Sequence, residues 1–264
     1  MRGKAFLLLV FALGACTKSG GASTDPRSWC HIQLFEGSRF TVCDNEGGKL
    51  QLFAAARDQA PLRSFADVAR KVDVSKVAFA MNAGMFDENG RPIGLAIVGP
   101  GRPVHRINLR DGPGNFHMKP NGVFEVDTSG RSSVFESGPM SMDVSLSPEV
   151  ALATQSGPIL VIQGKLHPKI EPDGQSRLTR NGVGITADGR ALFVISEDPV
   201  SFGKLARFFR DRLNTPNALY FDGSVSSLWD PPDGRQDSHS QLGPIVIAFK
   251  PAASAPGREV RARP

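Results

Sequence analysis

Along most of this chain the apolar residues come in short runs, broken every few positions by Gly, Pro or Asn. Runs of that length bounded by turn residues read as strands. They predict strands over Leu50 to Ala54, Lys76 to Met81, Leu95 to Val98, Gly122 to Val126, Ile159 to Ile162, Val183 to Thr186, Ala191 to Ile195, Ala218 to Phe221 and Ile245 to Phe249. Between two of them, Ala187-Asp188-Gly189-Arg190 carries the turn chemistry of a hairpin. A further hairpin is expected where His31 to Phe35 and Arg39 to Val42 flank Glu36-Gly37-Ser38.

Only two segments carry a helical period. Ser64 to Val74 opens with Ser64 and Asp67 as a capping pair and puts Phe65, Val68, Ala69 and Val72 on one face. Ser201 to Leu213 aligns Phe202, Leu205, Ala206, Phe209 and Leu213, with Arg207, Arg210, Asp211 and Arg212 mostly off that stripe. Many strands and few helices without regular alternation predict an α+β fold: a mixed, largely antiparallel β-sheet core with a few flanking helices, in one domain.

The N-terminus has a different pattern. Arg2 and Lys4 precede the apolar run Ala5 to Leu13, and Leu13-Gly14-Ala15-Cys16 follows. A basic start, a short apolar run and small residues form a secretory signal, and the cysteine makes it a lipobox. The run is too short to span a bilayer, which takes about 20 apolar residues. The expectation is a signal peptide over 1–15, lipidation at Cys16, a polar tether over 16–27, a globular domain over 28–250 and a disordered Pro/Ala/Arg-rich tail over 251–264. Export places Cys30 and Cys43 in an oxidising compartment, where such a pair reads as a disulfide. Thr17 is not the aspartate associated with inner-membrane retention, so the anchor is expected to face the periplasm, at the outer membrane rather than the inner.

Charge changes the picture little. Of the 31 Lys and Arg, Arg2 and Lys4 lie in the signal, Lys250 at the last position of the domain and Arg258, Arg261 and Arg263 in the tail; with these and Glu259 set aside, 25 basic residues face 25 acidic ones. A neutral body argues against nucleic acid as a partner. The five histidines, His31, His105, His117, His167 and His239, show no metal-ligand spacing, and the sequence holds no phosphate-binding loop, H-E-x-x-H or G-x-S-x-G.

Candidate chemistry gathers where polar residues meet glycines at strand ends, where backbones approach ligands closely. These segments are Met81-Asn82-Ala83-Gly84-Met85-Phe86, Gly114 to Phe124, Gln155-Ser156-Gly157-Pro158 and Arg180-Asn181-Gly182-Val183-Gly184. Ile195-Ser196-Glu197-Asp198 and Tyr220-Phe221-Asp222-Gly223-Ser224-Val225-Ser226-Ser227 add carboxylates. Each alone is also an ordinary turn.

In that order the segments resemble the phosphodiester glycosidase domain family, that of the lysosomal uncovering enzyme which removes N-acetylglucosamine from mannose 6-phosphate, and above all its small exported bacterial members. The resemblance runs from about Cys30 to Phe249. It departs after Asp222, where many members carry consecutive glycines and this chain has Gly223-Ser224-Val225.

The resemblance implies an envelope-anchored hydrolase cleaving a sugar-1-phosphodiester, with a phosphorylated or phosphodiester-linked glycan as partner and the membrane reached only through the lipid. Because phosphate leaves as a stable anion, holding its charge matters more than protonating it. Arg180 suits that task, since guanidinium pairs with phosphate bidentately; Lys119 is second. The oxocarbenium-like centre needs a carboxylate, Asp222 first and Glu197 second. Asn82, Gly84, Gln155, Ser156, Asn181, Gly223, Ser226 and Ser227 complete the expected substrate-binding set, with the polar side chains contacting sugar hydroxyls or orienting the reacting groups. Two carboxylates without ligand spacing do not establish a divalent cation at Asp222 and Glu197, so no metal or cofactor is expected. The rival readings are a non-catalytic glycan-binding envelope lipoprotein and a phosphodiesterase cleaving phosphorus–oxygen bonds.

Overall fold

The computed structural model describes residues 28–44, 46–138 and 149–251. Cys16, the expected signal and tether, and most of the expected tail lie outside them. The described chain forms three sheets, and every strand pair within them is antiparallel.

The first sheet has seven strands. In spatial order they are β1 (Cys30–Phe35), β2 (Ser38–Cys43), β13 (Ala191–Ser196), β12 (Asn181–Ile185), β14 (Asn217–Tyr220), β10 (Ile159–Ile162) and β11 (Lys165–Leu166). The second runs β16 (Arg235–Gln236), β15 (Leu228–Asp230), β4 (Val77–Asn82), β17 (Ile245–Phe249), β3 (Leu50–Phe53). The third runs β6 (Pro103–His105), β5 (Ala96–Ile97), β9 (Val150–Ser156), β7 (Gly122–Asp127), β8 (Ser132–Glu136).

The sheets meet on phenylalanines. Phe193 on β13 stands edge-on to Phe79 of β4 at 5.4 Å and to Phe124 of β7 at 5.7 Å, so one ring touches all three sheets' core. Alternation along β12 sends Val183 and Ile185 into this core, while the glycines Gly182 and Gly184 face the other way, where Phe209 and Thr215 crowd Gly184. That second face is covered by α2 (Phe202–Arg207), which Ser201 caps by accepting the Lys204 N–H. The outer side of the second sheet is covered by α1 (Phe65–Ala69) through Phe65, Val68 and the Phe65–Trp229 stack.

All nine expected strands are present within a residue or two, as is the Thr186–Arg190 turn with Gly189 at φ 86°. Cys30 pairs directly across the β1–β2 hairpin with Cys43 and forms the expected disulfide. The structure is richer in strand than the pattern indicated. β9 was missed because Ala151-Leu152-Ala153-Thr154 is small and short of β-branched residues, and its burial comes from β7 and β5 on either side.

The helices differ too. α1 stops at Ala69 because Asp73 caps a separate 3-10 turn, accepting from Ser75 N–H. The second helix widens into a π-turn over Phe208–Arg212. An α-helix turns about 100° per residue and separates two consecutive rings, whereas the wider turn lets Phe208 stack on Phe40 at 4.1 Å while Phe209 seats against Gly184, both fully buried.

Candidate active site

The polar segments singled out in the sequence converge at one end of the sheets. β12 begins there with Asn181 while β13, β14 and β4 end there. Pro158, just before β10, accepts the Tyr220 N–H, which brings the Gln155–Pro158 segment to the same place.

Asn82 joins these pieces. Its Nδ2 donates to the Asp222 carbonyl at 2.8 Å, and its Oδ1 accepts from Ser227 N–H at 2.8 Å and from Asn181 Nδ2 at 2.9 Å. Asn181 Oδ1 in turn accepts from the Ser226 hydroxyl at 3.1 Å. Ala83 contributes a carbonyl that accepts the Asp222 N–H at 3.0 Å. The loop 222–227 is therefore held at both ends by side chains from β4 and β12. Ser227's hydroxyl closes the loop on the Val225 carbonyl.

Asp222 caps the short turn Gly223–Val225, its carboxylate accepting from Ser224 N–H at 3.1 Å. Burial pushes its pKa above the usual carboxylate value, against the pull of those Ser224 hydrogen bonds.

Arg180 is 1% exposed, yet no carboxylate lies within ion-pair distance of it among the described residues. Nε donates to the Val200 carbonyl at 2.8 Å, Nη1 to the Tyr220 hydroxyl at 3.1 Å, and Nη2 to the Ser176 carbonyl and hydroxyl. The guanidinium also lies over the Phe202 ring at 3.8 Å. These contacts engage four of five N–H groups, so the bidentate fork anticipated for phosphate is not free in this structure. A buried cation without a counter-charge is costly, and this arrangement suits an anion brought by a ligand.

Tyr220 is the group that sequence reasoning left without a role. Its hydroxyl receives the Arg180 N–H, Gly223 packs closely against the same oxygen, and the charge of Asp222 is felt there. Burial raises its pKa above the ordinary tyrosine value while Arg180 opposes the rise. The available signal was position: the only tyrosine of the chain stands two residues before the candidate carboxylate.

Glu197 is placed elsewhere. Two residues beyond Ile195, it falls on the core face of β13, while Arg180 and Tyr220 occupy the helix-covered face. It accepts from Thr41 Oγ1 and from Arg235 Nη1, both at 2.5 Å. Arg235 also binds Asp237, which accepts the Leu228 N–H at 2.9 Å. Glu197 thus braces the strand that follows the Asp222 loop.

Most of the remaining expected residues are engaged within the protein. Gln155 Oε1 accepts from Leu95 and Asn108 N–H, and its Nε2 donates to the Asn108 carbonyl. A Cβ on Gly84 would come within 2.3 Å of Thr154 Oγ1, so that glycine permits close packing of two segments. Lys119 Nζ donates to the Leu109 carbonyl and Asp111, each at 2.7 Å, beside a cavity of about 340 Å³ lined by Leu109, Pro120, Asn121 and Ser137. Ser156 is fully buried with a hydroxyl that has no partner among the described residues. No group of three or more His, Cys, Asp or Glu side chains among those residues is placed to hold a metal ion.

Residues 75–240 match the model of the phosphodiester glycosidase family, and the chain belongs to that family. Its relatives include the Escherichia coli K12 protein YigE, 37% identical over 158 residues, which are 58% of each chain. This chain therefore spans less than two thirds of that relative's length. Among solved structures it is similar to the catalytic domain of zebrafish N-acetylglucosamine-1-phosphodiester alpha-N-acetylglucosaminidase, auto-inhibited by its pro-peptide. The TM-score is 0.57 with 13% identity over 84% of this chain and 82% of that one. A hypothetical protein from Synechocystis gives a TM-score of 0.52 and 16% identity over 84% and 61%. At those identities the likeness is one of fold.

Proposed function

We propose that the protein is a hydrolase of sugar-1-phosphodiesters, of the N-acetylglucosamine-1-phosphodiester type, with Asp222 as the carboxylate acting at the anomeric carbon. The observation that carries the reading is the pairing of a buried Arg180 lacking a protein counter-charge with a carboxylate at the same sheet end, in a chain of this family. The bond between anomeric carbon and phosphate oxygen breaks, the electron pair leaves on the phosphate, and the oxygen of water ends on the sugar. Phosphate is a good leaving group, so the reaction makes little demand for a second, proton-donating acid. A site with one carboxylate, Glu197 being turned to the other face, is compatible with that chemistry. A raised Asp222 pKa brings it closer to the range useful to a general base. Asn82, Asn181, Ser226 and Ser227 serve in this reading to orient the Asp222 loop.

The test is turnover of an N-acetylglucosamine-1-phosphodiester by wild type and Asp222→Asn. The variant is expected to lose at least about 100-fold in rate; wild-type activity in the variant removes Asp222 from the role. Hydrolysis in oxygen-18 water should label the sugar, whereas label in the phosphate would indicate phosphorus–oxygen cleavage. Binding without turnover would favour the glycan-binding alternative. We further propose that the enzyme is exported and held at the periplasmic face of the envelope through lipid on Cys16. Palmitate labelling that disappears in Cys16→Ala is the expected result; an unlabelled wild type would overturn it.

A further inference from the structure

Arg180 carries the positive charge of the site, yet it has one Nη1 N–H left and is sealed from solvent. The Tyr220 hydroxyl is in direct contact with that charge, two residues before Asp222 in the chain. The phenolic oxygen accepts the Arg180 Nη1 N–H at 3.1 Å. Its own hydrogen then points away from the guanidinium, and among the described residues no oxygen accepts it. Gly223 makes this seat: a Cβ there would come within 1.6 Å of the hydroxyl. Phe202, only partly buried, stands edge-on to the Tyr220 ring at 4.6 Å and lies under the Arg180 guanidinium at 3.8 Å, so it is the side chain that covers this pair.

We propose that Tyr220 makes the contact to the departing phosphate, with Arg180 acting through it as a positioning residue. The proposal rests on the sugar-phosphodiester reading and deepens it. As the anomeric carbon–oxygen bond breaks and its electron pair stays on phosphate, the Tyr220 O–H donates a hydrogen bond to a phosphate oxygen without giving up its proton. The guanidinium behind it polarises the phenol and strengthens that bond as negative charge develops. The direct guanidinium–phosphate fork is replaced by a relay.

Because the chain has one tyrosine, a ring-fluorinated tyrosine incorporated in its place gives a single fluorine NMR resonance that reports on this position alone. Inorganic phosphate added to the full chain is expected to shift that resonance, in wild type and in Asp222→Asn alike. Tyr220→Phe is expected to weaken phosphate binding by about 10- to 100-fold, the loss of one charge-assisted hydrogen bond, and to lower kcat on the phosphodiester by a similar factor. A resonance unmoved at phosphate concentrations that inhibit turnover would overturn the proposal, as would unchanged kcat in Tyr220→Phe. The fluorinated protein retains the phenol's shape and hydrogen bonds, so its result stands even where Tyr220→Phe folds poorly. A wild type that hydrolyses no sugar phosphodiester while phosphate still shifts the resonance would refute the activity and leave the contact standing.

Discussion

Replacing Asn82 by Ala removes three side-chain hydrogen bonds at once: to the Asp222 carbonyl, from Ser227 N–H and from Asn181 Nδ2. Two of the partners have somewhere else to go. The Asp222 carbonyl keeps Val225 N–H at 3.3 Å, and Asn181 Nδ2 keeps the backbone carbonyl of residue 82 at 3.0 Å. Ser227 N–H, buried, keeps nothing. At about 1 kcal/mol net per lost bond, with an orphaned buried N–H lying toward the upper end of that scale, the expected cost is about 3 kcal/mol and at most about 5. Against a total stability of roughly 5–15 kcal/mol the variant should still fold. Its urea midpoint should fall with m unchanged. Activity should fall with it, because Asp222 is held by this asparagine and a displacement of about 1 Å can cost on the order of 100-fold in rate. The loss should appear in kcat, since the residue orients a reacting group and does not hold the sugar. A raised KM with intact stability and kcat would instead make Asn82 a sugar ligand. A cost under about 1 kcal/mol with unchanged kcat would refute the loop-anchoring argument altogether.

Other expectations follow from the same geometry. Asp222→Asn should melt higher than wild type near neutral pH: the folded pKa is raised, so the native state retains its proton longer and wild-type stability falls as pH climbs through the ordinary carboxylate range of about 4. The gap between the two proteins should close below that range, and a gap that is constant with pH would contradict the assignment. Glu197→Gln should keep kcat within about tenfold while lowering stability by about 1–2 kcal/mol through its Arg235 contact; a collapse of kcat at unchanged stability would return Glu197 to the chemistry. Gly223→Ala should drive the Tyr220 hydroxyl from its seat and reduce kcat at least about tenfold. Wild-type kinetics in that variant would show the seat to be unimportant.

Secondary structure was legible wherever the strand signal was local. Apolar runs between glycines marked nine strands, and Cys30 and Cys43 marked their own hairpin. Short strands such as β15 and β16 were not legible, because their pairing is supplied by β4 and by each other. The membership of the site was partly legible too. Asn82, Asn181, Asp222, Ser226 and Ser227 were singled out and do meet, since polar residues at strand ends beside glycines mark where chains come together.

What those residues do there was decided by tertiary structure. An asparagine at a strand end looks the same whether its amide faces a sugar or a loop; only the arrival of Ser227 and Asp222 at β4 engaged it. Glu197 and Arg180 are near each other in sequence, but strand alternation sends them to opposite faces, a consequence that matters only once Arg235 supplies a partner on one side and Tyr220 on the other. The amino-acid order by itself determined most of the longer strands, the disulfide pair and the family. The burial of a lone guanidinium behind a single tyrosine came from packing between segments 40 positions apart in the chain, where no local pattern can register it.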